Sequence, residues 1–177
     1  MKRYFNMQEK EIYKVITADE VKMLDDIYKI NQPIFWAIDI YNSHKEYLQS
    51  AKRFTLEQRY LNAIFWYFAE VNNGGHIQFF TNATGIVWQD VIDGLNHFGI
   101  KSHAKNFQKV LDYFNETIPF DRDEREKLFD SADDELDEIL KNIESDFKNA
   151  DKEILNFIKN NPDKFTFNGT YRSYQAW

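Results

Sequence analysis

Residues 70–85 read EVNNGGHIQFFTNATG, and three of the chain's six glycines fall inside this stretch. Thr55-Leu56-Glu57-Gln58, upstream of it, is a capping-box pattern. That box opens a helix in which Leu56, Tyr60, Ala63, Ile64, Tyr67, Phe68 and Val71 form one stripe. Leu61, Phe65 and Trp66 make the same segment apolar almost all round, the mark of a central, buried helix over 56–72. Downstream, Val87, Trp88, Val91, Ile92, Leu95 and Phe98 form a second stripe, which Gly99 is placed to stop. Between them Asn72, Asn73, Gly74 and Gly75 stop the first helix and redirect the chain, because Asn tolerates left-handed backbone angles better than most residues and Gly tolerates them best. Ile77, Phe79 and Phe80 are too apolar for a surface loop. The expectation for 73–85 is therefore a reversal followed by a short buried turn that Asn82 and Gly85 close. The Gln78 and Asn82 amides would bond carbonyls freed by the broken helix. An alternative reading makes the joint a polar pocket for a small ligand or an enzymatic reaction, lined by Glu70, His76, Gln78 and Asn82, because Glu and His are the usual acid–base side chains.

Outward from this joint the periodicity stays helical. Thr17-Ala18-Asp19-Glu20 is a capping box opening a first helix with Val21, Leu24 and Ile27/Tyr28 on one face; Pro33 is expected to end it and to start a second, from Ile34 to Ser50. Gly94 sits inside the helix after the joint at a cost of about 1 kcal/mol relative to Ala, which close approach of a neighbouring helix would explain. Ser102 can cap the next helix, carrying Ala104, Phe107, Val110, Leu111 and Phe114. Beyond Pro119 a short charged helix covers 122–129, then a stripe runs through Leu136, Ile139, Leu140, Ile143 and Phe147. Ile154, Leu155 and Ile158 mark the last helix, stopped before Pro162. The tail, with Asn168-Gly169 between alternating residues, reads as a hairpin that must dock or stay mobile. These segments predict an all-α fold: one helical domain over 1–177 with seven or eight helices, comprising an N-terminal extension at 1–16, a helical core at 17–161 and a tail at 162–177.

Composition bounds the rest. Hydrophobic content is 43% and aromatic content 17%, with sixteen Phe and ten Tyr, so the core is built largely from rings. There is no cysteine, which removes disulfides, thiolate metal sites and a cysteine nucleophile. The N-terminus carries charges where a signal peptide needs an apolar run, and nowhere are eighteen apolar residues consecutive, so a cytoplasmic protein with no membrane partner is expected. His44, His76, His97 and His103 form neither HExxH nor paired Glu-x-x-His elements, Gly-x-Ser-x-Gly and the phosphate loop are absent, and neither metal nor cofactor is expected. Homodimerisation through an exposed apolar face, or through the tail rings Tyr171, Tyr174 and Trp177, is open.

The net charge of −7 is unevenly placed. Residues 121–153 hold fourteen Asp/Glu against six Lys/Arg, whereas the remaining chain has fifteen acids and sixteen bases. A duplex-binding surface needs the opposite sign, so direct nucleic-acid binding is disfavoured and a basic partner is favoured. Asp123, Glu124, Asp133, Asp134, Asp137 and Glu138 are the candidate contact carboxylates. The competing reading is an ordinary solvated face, with i, i+4 pairs Asp123–Lys127, Asp137–Lys141 and Glu144–Lys148 and helix-start acids favoured by the macrodipole.

The arrangement Glu70, Asn73-Gly74-Gly75, Gln78, Phe79-Phe80, Asn82 and Gly85 resembles the signature of a bacterial helical family named for a DNA-mimic protein and otherwise largely of unknown function. The elements match in order and spacing, and the order of helices matches over roughly residues 20–160. The resemblance implies an all-α fold and, for the mimic type, a non-catalytic regulatory protein whose acidic surface occupies the duplex site of a DNA-binding protein such as a transcription factor. His76 departs from the pattern, where an aromatic or aliphatic residue is more usual. The shared signature is the glycine joint rather than the acidic surface.

Overall fold

The computed structural model describes residues 8–143 and 147–175. Among the described residues there are nine α-helices and one two-stranded sheet. The helices exceed the expected seven or eight because 17–51 divides into three. A capping box at Thr17 starts α1 (Ala18–Met23), Asp26 caps α2 (Ile27–Ala37), and a further capping box at Ser43 with Glu46 starts α3 (His44–Ala51). Pro33 does not end a helix; it lies inside α2. Its ring removes the donor that would have bonded the Lys29 carbonyl, and the Lys14 ammonium reaches that oxygen instead, at 3.4 Å.

The core is organised around α4 (Leu56–Thr81), whose Leu61, Ala63, Ile64, Tyr67, Phe68 and Val71 are buried. A 3₁₀ turn (Ala83–Val87) leads into α5 (Trp88–His97), followed by α6 (Lys101–Tyr113), α7 (Arg122–Asp130), α8 (Asp134–Lys141) and α9 (Lys148–Asn160). The apolar stripe from Leu136 to Phe147 outlasts its helix. The chain leaves α8 at Asn142, whose side chain caps the Glu138 carbonyl at 2.7 Å. Phe147 is still buried, stacked on Phe68 with ring centroids 3.8 Å apart.

The tail does not form a hairpin. β2 (Phe167–Gln175) runs straight through Asn168-Gly169 and pairs antiparallel with β1 (Gln8–Ile16), so that Val15 faces Asn168 and Lys14 faces Gly169. A hairpin turning at Asn-Gly would have arms of only a few residues, whereas the nine-residue pairing satisfies a longer ladder. It also buries Ile16, Phe167 and Tyr171 on the core side. Tyr171 is thus a core ring and not a free surface for dimerisation; the side chains of Tyr174 and Trp177 lie outside the described residues. The ribbon is fastened to the start of α4, where Arg53 donates to the Thr170 carbonyl at 2.8 Å, Gln58 to that of Thr166 at 2.8 Å, and Thr55 to that of Lys164 at 2.7 Å. Among the described residues no helix is long and apolar enough to cross a membrane.

Gly94 lies where α5 crosses α4. A Cβ there would sit 2.9 Å from the Tyr60 Cβ and 3.1 Å from the Ile64 Cδ1. Replacing Gly94 by Ala is expected to lower stability by about 1–2 kcal/mol, the overpacking outweighing the gain in helix propensity. A thermal melt of the Gly94→Ala variant checks this, and an increase in Tm would refute the close-packing explanation.

Candidate functional site

The joint is a break in α4. Gly74 (φ −152°, ψ 19°) and Gly75 (φ 82°, ψ 178°) leave helical geometry, and Gly75 occupies a positive φ that a side chain resists. In an unbroken helix residues 67 and 79 would be about 18 Å apart along the axis. Their rings instead meet edge to face with centroids 5.1 Å apart, so the second limb of α4 folds back against the first. Phe79 and Phe80 point into the core, where Phe80 stacks on Phe129 at 4.8 Å. The reversal and the buried turn expected over 73–85 are both present.

The polar groups are distributed differently from the sequence expectation. Gln78 and Asn82 do not bond freed carbonyls. They converge on one carboxylate: Glu70 accepts from Gln78 Nε2 at 2.5 Å, Asn82 Nδ2 at 3.0 Å and Thr84 Oγ1 at 3.0 Å. Charge-assisted bonds of this kind are about twice as strong as neutral ones, so Glu70 clamps the returning limb to the outgoing one. Gly74 makes room for the clamp, since a Cβ there would fall 1.9 Å from the Gln78 Oε1. Asn73 is exposed at the bend.

The freed carbonyls are taken by a residue that the sequence reading did not single out. Arg125 is fully buried. Its Nε donates to the Phe80 carbonyl, one terminal nitrogen to that of Asn82 at 2.8 Å, and the other to those of Phe120 at 2.9 Å and Pro119 at 3.2 Å. Burial draws its pKa down to about 10, which leaves it protonated at neutral pH. Arg122 adds a bond to the Thr81 carbonyl at 3.2 Å. Gly85 is required here because a Cβ would lie 2.6 Å from the guanidinium Nε and 2.7 Å from the Phe79 and Phe80 carbonyls. A sequence signal did exist: Arg125 is four residues before Phe129, in phase with the buried side of α7.

The four side chains of the alternative pocket divide between two networks. Glu70, Gln78 and Asn82 bond one another, whereas the buried His76 meets the Tyr67 hydroxyl through Nδ1 at 3.1 Å. Burial pushes the imidazole down to about 4, and the backbone carbonyl of Ile143, an acceptor that favours the cation, only partly offsets this. His76 is neutral at pH 7 and serves as a core ring beside Tyr67. Among the described residues no group of three or more His, Asp or Glu is arranged to hold a metal ion.

Asp123, Glu124, Asp133, Asp134, Asp137 and Glu138 are all exposed. Asp123 and Glu124 lie in the first turn of α7, and Asp134, Asp137 and Glu138 lie on α8 away from the buried Leu136. Asp133 is the N-cap of α8, accepting from the Glu135 amide at 3.1 Å and from the Tyr113 hydroxyl at 2.9 Å. Between 121 and 141 ten acids are exposed against three bases, Arg122, Lys127 and Lys141, because Arg125 is withdrawn into the core. Lys141 pairs with Glu138 at 2.9 Å rather than with Asp137, and among the described residues Asp123 and Lys127 form no ion pair. The pair Glu144–Lys148 lies outside the described residues.

A family model described as DMP19-like protein matches residues 52–161, which include both the glycine joint and the acid-rich helices. No curated protein and no solved structure matches the chain.

Two outcomes follow from the joint. Arg125→Met removes the donor to four carbonyls, one buried and three part-buried, and is expected to cost about 3–5 kcal/mol in denaturant unfolding. For His76, an unfolded-state imidazole takes up a proton near pH 6.5 and the folded one only near 4. Stability therefore falls as pH drops from 6.5 to 4, by up to about 1.4 kcal/mol per unit. The His76→Phe variant is expected to lose that increment, so its stability relative to the parent should rise by about 2–3 kcal/mol across this window; a pH-independent difference would refute a buried neutral His76.

Proposed function

The chain belongs to the DMP19-like family, and on that premise we propose that it is a non-catalytic regulatory protein whose α7–α8 face occupies the duplex-binding surface of a basic protein, such as a transcription factor. The observation that carries this reading is the exposed charge between 121 and 141, ten acids to three bases, on helices whose apolar sides are anchored in the core. The eight residues of α8 are about 12 Å long. A duplex carries about seven phosphate charges over that length, and α8 with its cap presents five carboxylates and one lysine, of the same order.

Two structural details support the proposal. Arg125 is the base that would sit in the middle of α7, and it faces the carbonyls of the joint instead of solvent. Arg122 is likewise turned toward the Thr81 carbonyl. The face that remains attracts cationic surfaces over roughly a Debye length, about 8–10 Å in physiological salt. The small-ligand alternative has less support, because Glu70 is occupied by Gln78 and Asn82 while His76 is buried against Tyr67 in a separate contact.

The double variant Asp134→Lys/Glu138→Lys tests the proposal. Proteins retained by the parent chain at low salt and released at high salt should be released by duplex DNA and should fail to bind the variant, with the variant's melting profile intact. Undiminished retention by the folded variant would remove this face from the function.

A further inference from the structure

The β1–β2 ribbon has one covered side and one open side. Arg53, just ahead of α4, donates to the Thr170 carbonyl at 2.8 Å, and α2 packs against β2, so the outer side of β2 is closed. A Thr170 oxygen turned toward Arg53 is turned away from β1, which makes Thr170 and its partner Tyr13 a non-bonded pair of the ladder. Pairs of the two kinds alternate, so Glu9, Glu11 and Val15 share the orientation of Tyr13. Their backbone N–H and C=O groups point to the open side of β1 and have no hydrogen-bond partner among the described residues. A proline, a bulge or a short strand would blunt such an edge. β1 has none of these: it holds nine residues without proline, in a continuous register. What completes such an edge is an extended backbone.

Two features define the side chains of the occupant. Beside the inner end of β1 is a cavity of about 270 Å³, lined by Val15 and Ile16 and by Met23 and Leu24 at the end of α1. Met23 is 77% exposed. The charged groups around the cavity serve the fold itself. Lys14 donates to the Lys29 carbonyl and to Gln32 Oε1 at 3.1 Å, Glu20 accepts from the Thr17 amide at 2.7 Å, and Lys29 pairs with Asp25 at 3.5 Å. The cavity therefore offers apolar surface. On the solvent face of the ribbon Arg172 is paired with Glu9 at 3.1 Å, which leaves Glu11 exposed with no ion pair among the described residues. Ile16 and Glu11 are five residues apart and lie on opposite faces of the strand. A third strand would thus carry an apolar side chain opposite Ile16 and a lysine or arginine opposite Glu11. A second copy of β1 meets neither demand. The longest antiparallel register that keeps like charges apart is centred on Tyr13, and it sets the copy's Lys10 opposite Ile16 and its Val15 opposite Glu11.

We infer that the open edge of β1 takes up an extended segment of another protein as a third strand, with an apolar anchor in the cavity beside Met23 and a basic side chain against Glu11. None of these residues belongs to the α7–α8 face, so the inference stands independently of the proposed mimicry.

The probes are a labelled nonapeptide alternating valine with lysine, its counterpart with glutamate for lysine, and two forms of the lysine peptide N-methylated at the lysines or at the valines. By fluorescence anisotropy the full chain is expected to bind the lysine peptide at least tenfold more tightly than the glutamate one. Only alternate amides face β1, so one N-methylated form should bind at least tenfold more weakly than the other. Val15→Pro, which removes an outward N–H and leaves the ladder with β2 intact, and Met23→Glu should each weaken binding at least tenfold. Asp134→Lys/Glu138→Lys should leave it within twofold. Circular dichroism verifies that each variant is folded, and the exposed Met23→Glu keeps the test decisive if Val15→Pro disturbs the ribbon. No binding, equal binding of the two N-methylated forms, or equal weakening by the α7–α8 variant would each overturn the inference. So would sedimentation showing that the parent chain self-associates and that Val15→Pro makes it monomeric.

Discussion

One buried cation holds the molecule in shape. Arg125 sits in the core with carbonyl oxygens as its hydrogen-bond partners. A guanidinium taken out of water loses several kcal/mol of solvation, which only a full set of acceptors offsets. The broken end of α4 provides such acceptors, and it also carries the negative end of the helix macrodipole. The bend at Gly74-Gly75 and the burial of Arg125 are thus mutually dependent. Without the bend the carbonyls of Phe80 and Asn82 would not reach the guanidinium. Without the guanidinium those carbonyls would lose the donor that satisfies them.

The consequence propagates to the surface. Arg125 fixes α7 against the joint, Phe129 seats on Phe80, and the remaining positions of α7 apart from the half-buried Leu128 are turned to water. Those positions are mostly Asp and Glu. Glu70 performs the complementary task on the other side of the bend, where three uncharged donors from the returning limb and the turn after it bond one carboxylate. The family signature and the acid-rich helices, which seem unrelated as sequence, are therefore two sides of one packed unit: the signature shapes the socket, and the socket presents α7.

Much of this was legible from residue order. The helix stop at Asn-Asn-Gly-Gly, the buried Phe79-Phe80 and the close approach at Gly94 follow from backbone tolerance and apolar periodicity, which act locally. What escaped was long-range. Residue order offers Glu70 both as a signature position and, in the alternative, as a pocket residue, and does not show that Thr84 and Asn82 return to it. Arg125 was one base among many until a helix phase placed it opposite Phe80. The Asn168-Gly169 dipeptide has a local preference for a turn, and a partner strand more than a hundred residues away overrode it. Pro33 has a local tendency to terminate a helix, and the replacement of its lost bond by Lys14 is a contact that local sequence does not show.

The β1–β2 ribbon closes a loop of about 150 residues, so its ladder costs the most chain entropy of any contact in the fold and should zip up after the core has formed. Its register also sets how the protein responds to mechanical load. Gln8 lies across from Gln175 at the outer end of the ladder, and Ile16 across from Phe167 at the inner end. Tension on the two termini is therefore applied at the outermost rung and peels the strands apart one pair at a time, rather than shearing all the rungs at once. The helical body would feel the force only after the ribbon had opened.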